Sequence, residues 1–148
     1  MVSVTPNINT INYTLSSCEK FITDVGDNIS KIIADNEVIK TYDELKKGNY
    51  PEIYGGVIDS YNYIGSSLSK TSLSLIDIRT LKKQIISNSI SLVPSVERVI
   101  RARLENIIKD FEDLRSSLVS LKDVYEAKLR FYNTCQYLMT NGGFIDRS

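Results

Sequence analysis

Residues 100 to 125, IRARLENIIKDFEDLRSSLVSLKDVY, place Ile100, Leu104, Ile107, Phe111, Leu114, Leu118, Leu121 and Tyr125 at unbroken spacings of four and three. An α-helix brings residues at that spacing onto one side of the chain, so the row predicts a helix with a continuous apolar edge. The row resumes at Tyr132, Cys135 and Met139 with Lys128 out of pattern. Asn141-Gly142-Gly143 is expected to stop the helix, because these residues tolerate left-handed backbone. Glu97 with Arg101, Arg101 with Glu105, Glu105 with Lys109 and Glu126 with Arg130 stand four apart, which predicts ion pairs along the outer face.

Two further rows share this period. Ile11, Leu15, Cys18, Ile22, Val25, Ile29 and Ile32 form the first, with Asn9 or Thr10 placed to cap it. After Asp35-Asn36-Glu37 it slips and restarts at Val38, Tyr42 and Leu45, so residues 11 to 47 read as one helix with a stutter or as a long helix followed by a short one, ended by Gly48. The stretch KGNYPEIYGG, with Gly48, Asn49, Pro51, Gly55 and Gly56, reads as the principal connection. Beyond it, Val57, Tyr61, Ile64, Leu68, Leu75, Ile78, Ile85 and Leu92 fill a row that Thr71, Lys82 and Ser89 interrupt. The serine-rich SSLSKTSLSLI within it has poor helix propensity, yet helix is the better reading there. Pro94 is expected to break this helix, and Ser95 to cap the next one.

Three rows of this kind predict one all-α domain over residues 1 to 148: an elongated bundle of three long antiparallel helices, or of four if residues 38–47 fold back. At about 1.5 Å per residue, segments of roughly 36 to 46 residues would be about 55 to 70 Å long, so a rod is expected. A strict three-four seam also suits coiled-coil pairing with a second chain. In an up-down-up bundle Cys18 and Cys135 fall at opposite ends, and both are expected as buried free thiols.

The chemistry that would make an enzyme is sparse. The chain contains no histidine, which removes the commonest general base and the imidazole metal ligands. Asp110, Glu112 and Asp113 lack the spacing of a cation loop and read as a solvated acidic face. Gly55-Gly56 is not followed by the Lys-Ser/Thr of a phosphate loop. No enzymatic activity and no cofactor are therefore expected.

Two features exceed background. Arg79, Lys82, Lys83, Arg98, Arg101 and Arg103 flank Pro94, so a helical hairpin would gather them toward one end as a candidate contact for an anionic partner or for assembly. Residues 1 to 59 hold nine acidic and five basic side chains, a local charge of minus four in a chain of zero net charge, which suggests a rod with unlike ends. Tyr50, Tyr54, Tyr61 and Tyr63 crowd the first connection and suit a cover over the bundle end or, second, a contact with a partner.

The expected function is protein-protein interaction or assembly as a structural scaffold subunit that self-associates. The alternatives are a binding module for nucleic acid, an acidic protein or a lipid headgroup through the basic end, and a small-molecule carrier or enzyme with an inter-helix pocket. Nucleic acid is the less favoured partner, because the balanced charge argues against a general nucleic-acid coat. The chain has no apolar run long enough to span a membrane and no leader pattern, so an intracellular, cytoplasmic location or membership of an assembled particle is expected.

Overall fold

A computed structural model describes residues 7–35, 42–48 and 50–140. Four helices follow one another: α1 (Ile8–Asp35), α2 (Tyr42–Lys47), α3 (Tyr50–Ile86) and α4 (Pro94–Thr140). At about 1.5 Å per residue, the 47 residues of α4 span about 70 Å and the 37 of α3 about 55 Å, as the row lengths predict. No described helix is long and apolar enough to cross a membrane.

The expected architecture holds: three long helices run up, down and up, and α2 is a short fourth element that packs chiefly on α4. Cross-links fix the directions. Near one end Arg103 of α4 reaches Asn12 and Glu19 of α1, and farther along Tyr125 donates to the Ile32 carbonyl, so α1 and α4 are parallel. Between α3 and α4, Arg79 meets Glu112, Arg115 meets Ser72 and Tyr61 meets Glu126, an antiparallel register.

The apolar rows are the core. Ile100, Leu104, Ile107, Phe111, Leu114, Leu118, Tyr125, Tyr132 and Cys135 are all buried on α4. Lys128, the break in that row, is buried as well, with its Nζ 4.9 Å from the centroid of the Tyr125 ring. Its aliphatic stem continues the seam while burial pushes the amine down from its ordinary range. Cys18 lies with the half of the core nearest the α3–α4 hairpin, and Cys135 with the other half. Both are free thiols at different levels of the rod, as an up-down-up path requires, but only Cys135 is buried as expected; Cys18 is half-buried at the edge of its cluster.

Several local expectations are corrected. The connection before α3 is far shorter than KGNYPEIYGG: α3 begins at Tyr50, so Pro51, Gly55 and Gly56 are helical. Pro51 costs nothing in a first turn whose amides have no helical acceptor, and packing of Tyr50, Ile53, Tyr54 and Val57 holds the two glycines in helix. Gly48 does end α2, its amide bonding the Glu44 carbonyl. Nor does Pro94 break α3, which stops at Ile86. There Asn88 takes a left-handed φ of 61° and Ile90 folds back with its amide on Gln84, leaving Leu92 in the connection rather than on the helix.

Pro94 instead opens α4, where its fixed φ suits the first helical position; Ser95 lies inside the helix rather than capping it. The first helical bond runs from the Glu97 amide to the Val93 carbonyl. Among the described residues none of the four predicted pairs on the outer face of α4 closes as an ion pair. Exposed pairs gain too little to hold two long side chains together. The stutter after Asp35 and the stop at Asn141-Gly142-Gly143 lie outside the described residues.

Midway along the rod the core divides. One cluster centres on Leu75, Ile78, Leu104 and Phe111, the other on Ile64, Leu114, Leu118 and Tyr125, and partly buried Phe21 and Ile22 pack against both. Ser67 and Thr71 of α3 are buried at this level, Thr71 completely, and its hydroxyl has no hydrogen-bond partner.

Two outcomes are expected. Leu118→Ala should cost roughly 2 to 5 kcal/mol in denaturant unfolding, and the loss should be equal at every protein concentration because the seam is filled from within the chain. Thr71→Val keeps the shape and removes an unpaired buried hydroxyl, so it should stabilise by about 1 kcal/mol. A lower denaturation midpoint for this variant would show that the hydroxyl finds a partner.

Candidate functional site

The six cations flanking Pro94 lie in the hairpin half of the rod, but the helix period spreads them around it. Positions 101 and 103 of one helix point roughly 200° apart. Arg103 turns to α1, where its guanidinium pairs with Glu19 at 2.6 Å and reaches Asn12 at 3.2 Å and Ser16 at 3.4 Å. Arg79 turns to α4 and pairs with Glu112 at 3.2 Å. These two are therefore cross-links between helices. Lys83 and Arg98 are exposed, and Lys82 and Arg101 are half-buried. Arg98 and Arg101 line a shallow hollow of about 360 Å³ with Pro94, Glu97 and Glu105, so two carboxylates share their surroundings.

The described acidic residues of the first 59 divide between the two halves of the rod: Asp43, Glu44, Glu52 and Asp59 lie on α2 and the start of α3, away from the hairpin, whereas Glu19 lies on α1 in the hairpin half. α1 lies beside the first two thirds of α4, and Glu19 sits among the basic residues.

The hairpin end also carries an apolar surface. Two adjoining hollows, of about 320 and 290 Å³, share Ile8 and Val96; Leu92 and Val93 line one, Val99 and Ile100 the other. Val93 and Val99 are 65% and 60% exposed. This patch escapes a reading of the sequence, because Ile8 joins it only through the tertiary contact of α1 with the start of α4.

The four tyrosines of the first connection turn inward as latches between helices. The Tyr50 hydroxyl donates to the Tyr132 carbonyl, that of Tyr54 to Asn133 and that of Tyr61 to Glu126 at 3.0 Å, while Tyr63 accepts from Asn28 of α1 at 2.9 Å. Tyr50 and Tyr54 stack with ring centroids 5.6 Å apart. Residues four and seven apart on α3 thus form a ladder, tying α3 to α4 through three members and to α1 through the fourth. Neither a terminal cover nor an open contact surface describes them fully.

Other reactive groups are restrained. Burial, and then the charges of Glu19 and Asp77, push the Cys18 thiol up, and burial does the same to Cys135, so both stay protonated and weakly nucleophilic at neutral pH. Of the carboxylate stretch, Glu112 is held by Arg79, whereas Asp110 and Asp113 face solvent. Ser72, Ile76, Arg79, Glu112, Arg115 and Ser116 surround a groove of about 330 Å³ between α3 and α4. It was invisible before the hairpin register was known.

The ladder generates a pH dependence. Burial pushes the Tyr50 hydroxyl from 10.0 up to about 12. The folded state holds that proton more tightly than the unfolded chain, so the contribution is intact below pH 10 and is lost as pH rises through about 12. Tyr50→Phe should be less stable at pH 8, having lost its bond to Tyr132, and should lose less stability than the parent between pH 10 and 12 in denaturant midpoints.

Compared with the models of known protein families, with characterised proteins and with solved structures, the chain matches none.

Proposed function

We propose that this protein is a non-enzymatic helical rod that works by binding protein surfaces, as a scaffold or assembly subunit, and that it associates with itself. The supporting observation is where its large apolar side chains are left in solvent. Val93 and Val99 gather at the hairpin end, and Val124 and Phe131, 49% and 39% exposed, lie on the opposite half of α4. Exposed apolar groups that cluster beside polar residues mark contact surfaces more often than isolated ones do. A rigid rod suits this use, since it holds such patches tens of ångströms apart.

The test is retention of proteins from the native source by the full chain, compared with a Val93→Ser, Val99→Ser variant. The parent should retain a defined partner and the variant should lose it. Turnover in a broad substrate screen, with no protein retained, would overturn the proposal and favour a carrier or enzyme that uses the grooves between helices.

A second reading has its own observation. Lys83 and Arg98 are exposed, and neither is tied into an inter-helix ion pair as Arg79 and Arg103 are. Lys83→Glu combined with Arg98→Glu and Arg101→Glu should abolish retention on nucleic acid or on anionic vesicles if an anionic partner docks there. The fold should survive, because the two structural arginines are untouched. Unchanged retention would leave these charges as a solvated face.

A further inference from the structure

On α4 the buried row passes through Tyr125, Lys128, Tyr132 and Cys135. The flank about 100° round the helix from it, one position earlier at each step, carries a second row at the same three-four spacing: Val124, Ala127, Phe131, Thr134 and Leu138. Val124, Ala127, Phe131 and Thr134 are exposed and Leu138 is half-buried. Neither Val124 nor Phe131 belongs to the core clusters, and the ring that Phe131 meets is its own neighbour Tyr132, at 5.6 Å. One to three turns earlier the same face is polar, with Asp113, Ser117 and Ser120. The change to apolar comes where α1 is ending, at the level where Tyr125 reaches Ile32.

We infer that this face pairs with the same face of a second copy, the two α4 helices lying antiparallel about a two-fold axis near Ala127. This rests on the assembly reading and assigns it a surface. The sign pattern beside the row selects a second copy over another partner. Asp123 and Arg130 are exposed, stand seven apart on the same edge of the row and lie about equally far from Ala127. In a two-fold contact residue i meets j and j meets i, so Asp123 of each chain faces Arg130 of the other. Ala127 is small enough at the crossing for the helices to approach, and Val124 and Phe131 interdigitate on either side, as the knobs of a helix pair require. A row of about four turns buries a modest area, so the pair is a weak, reversible dimer.

Sedimentation of the full chain from low-micromolar to near-millimolar concentration tests this. The parent should pass from monomer to dimer, and Phe131→Glu should remain monomeric while keeping its helical circular dichroism. Asp123→Arg alone and Arg130→Asp alone should each weaken the dimer about tenfold, since each replaces two attractive contacts by two repulsive ones. An equimolar mixture of these two variants should recover parental affinity, because every contact between unlike chains is again of opposite sign. Both substitutions are at exposed positions, so this arm stands even if Phe131→Glu fails to fold. A parent that stays monomeric throughout overturns the pairing and the self-association with it, yet leaves the scaffold role standing if the chain still retains a partner through Val93 and Val99. A dimer indifferent to Phe131→Glu, or single-charge variants that do not complement each other, also overturns this surface.

Discussion

The apolar edge of α4 runs about 50 Å from Ile100 to Cys135, and covering it is the constraint on which the rest of the fold depends. A helix packs only along a stripe, so one partner cannot enclose that edge and two are needed side by side. α3 is long enough to follow most of it in the antiparallel sense. α1, with 28 residues, covers the hairpin half and reaches the level of Tyr125. The remainder is met by α2, whose Leu45 is fully buried in the same cluster as Tyr132 and Cys135.

Apolar burial is indifferent to small slips of one helix along another, whereas directional groups are not. The register of this bundle is set by contacts that work only at one offset: Arg103 with Asn12, Ser16 and Glu19, Arg79 with Glu112, and the rungs from Tyr50, Tyr54 and Tyr61 to α4. The exposed pairs among these contribute little stability each. Their value is positional, since a slip of one turn would break all of them together. The unpaired hydroxyl of Thr71, at the level where the core divides, is the local exception to this satisfaction of polar groups.

The same arrangement limits what the surface can do. Two of six basic side chains near the hairpin are committed to structure, and two others share a hollow with Glu97 and Glu105, which leaves a weaker positive field than the raw sequence suggests. Some of the apolar residues left outside, Val93 and Val99 at the hairpin and Val124 and Phe131 on a flank of α4, become the more informative features. Val93 and Val99 lie where α1 has just begun, and Val124 and Phe131 where it is ending, whereas Leu73 and Ile76, similarly exposed, lie midway along α3.

The residue spacing alone determined the all-helical class, three long rows and most of their buried members, because the helical period is a local property and a long amphipathic row has few other ways to be covered. Even the serine-rich part of α3 followed the period against its propensity, since Leu75 and Ile78 had a core to enter. Helix ends were less legible: proline and glycine signal both a stop and a permissible start, and packing around Tyr50 and Ile90 chose between them. The roles of the candidate residues belonged wholly to tertiary structure. Whether Arg103 met solvent or Glu19, and whether Tyr54 met a partner or Asn133, depended on which helix lay opposite and at what offset, and neither is encoded within any one segment.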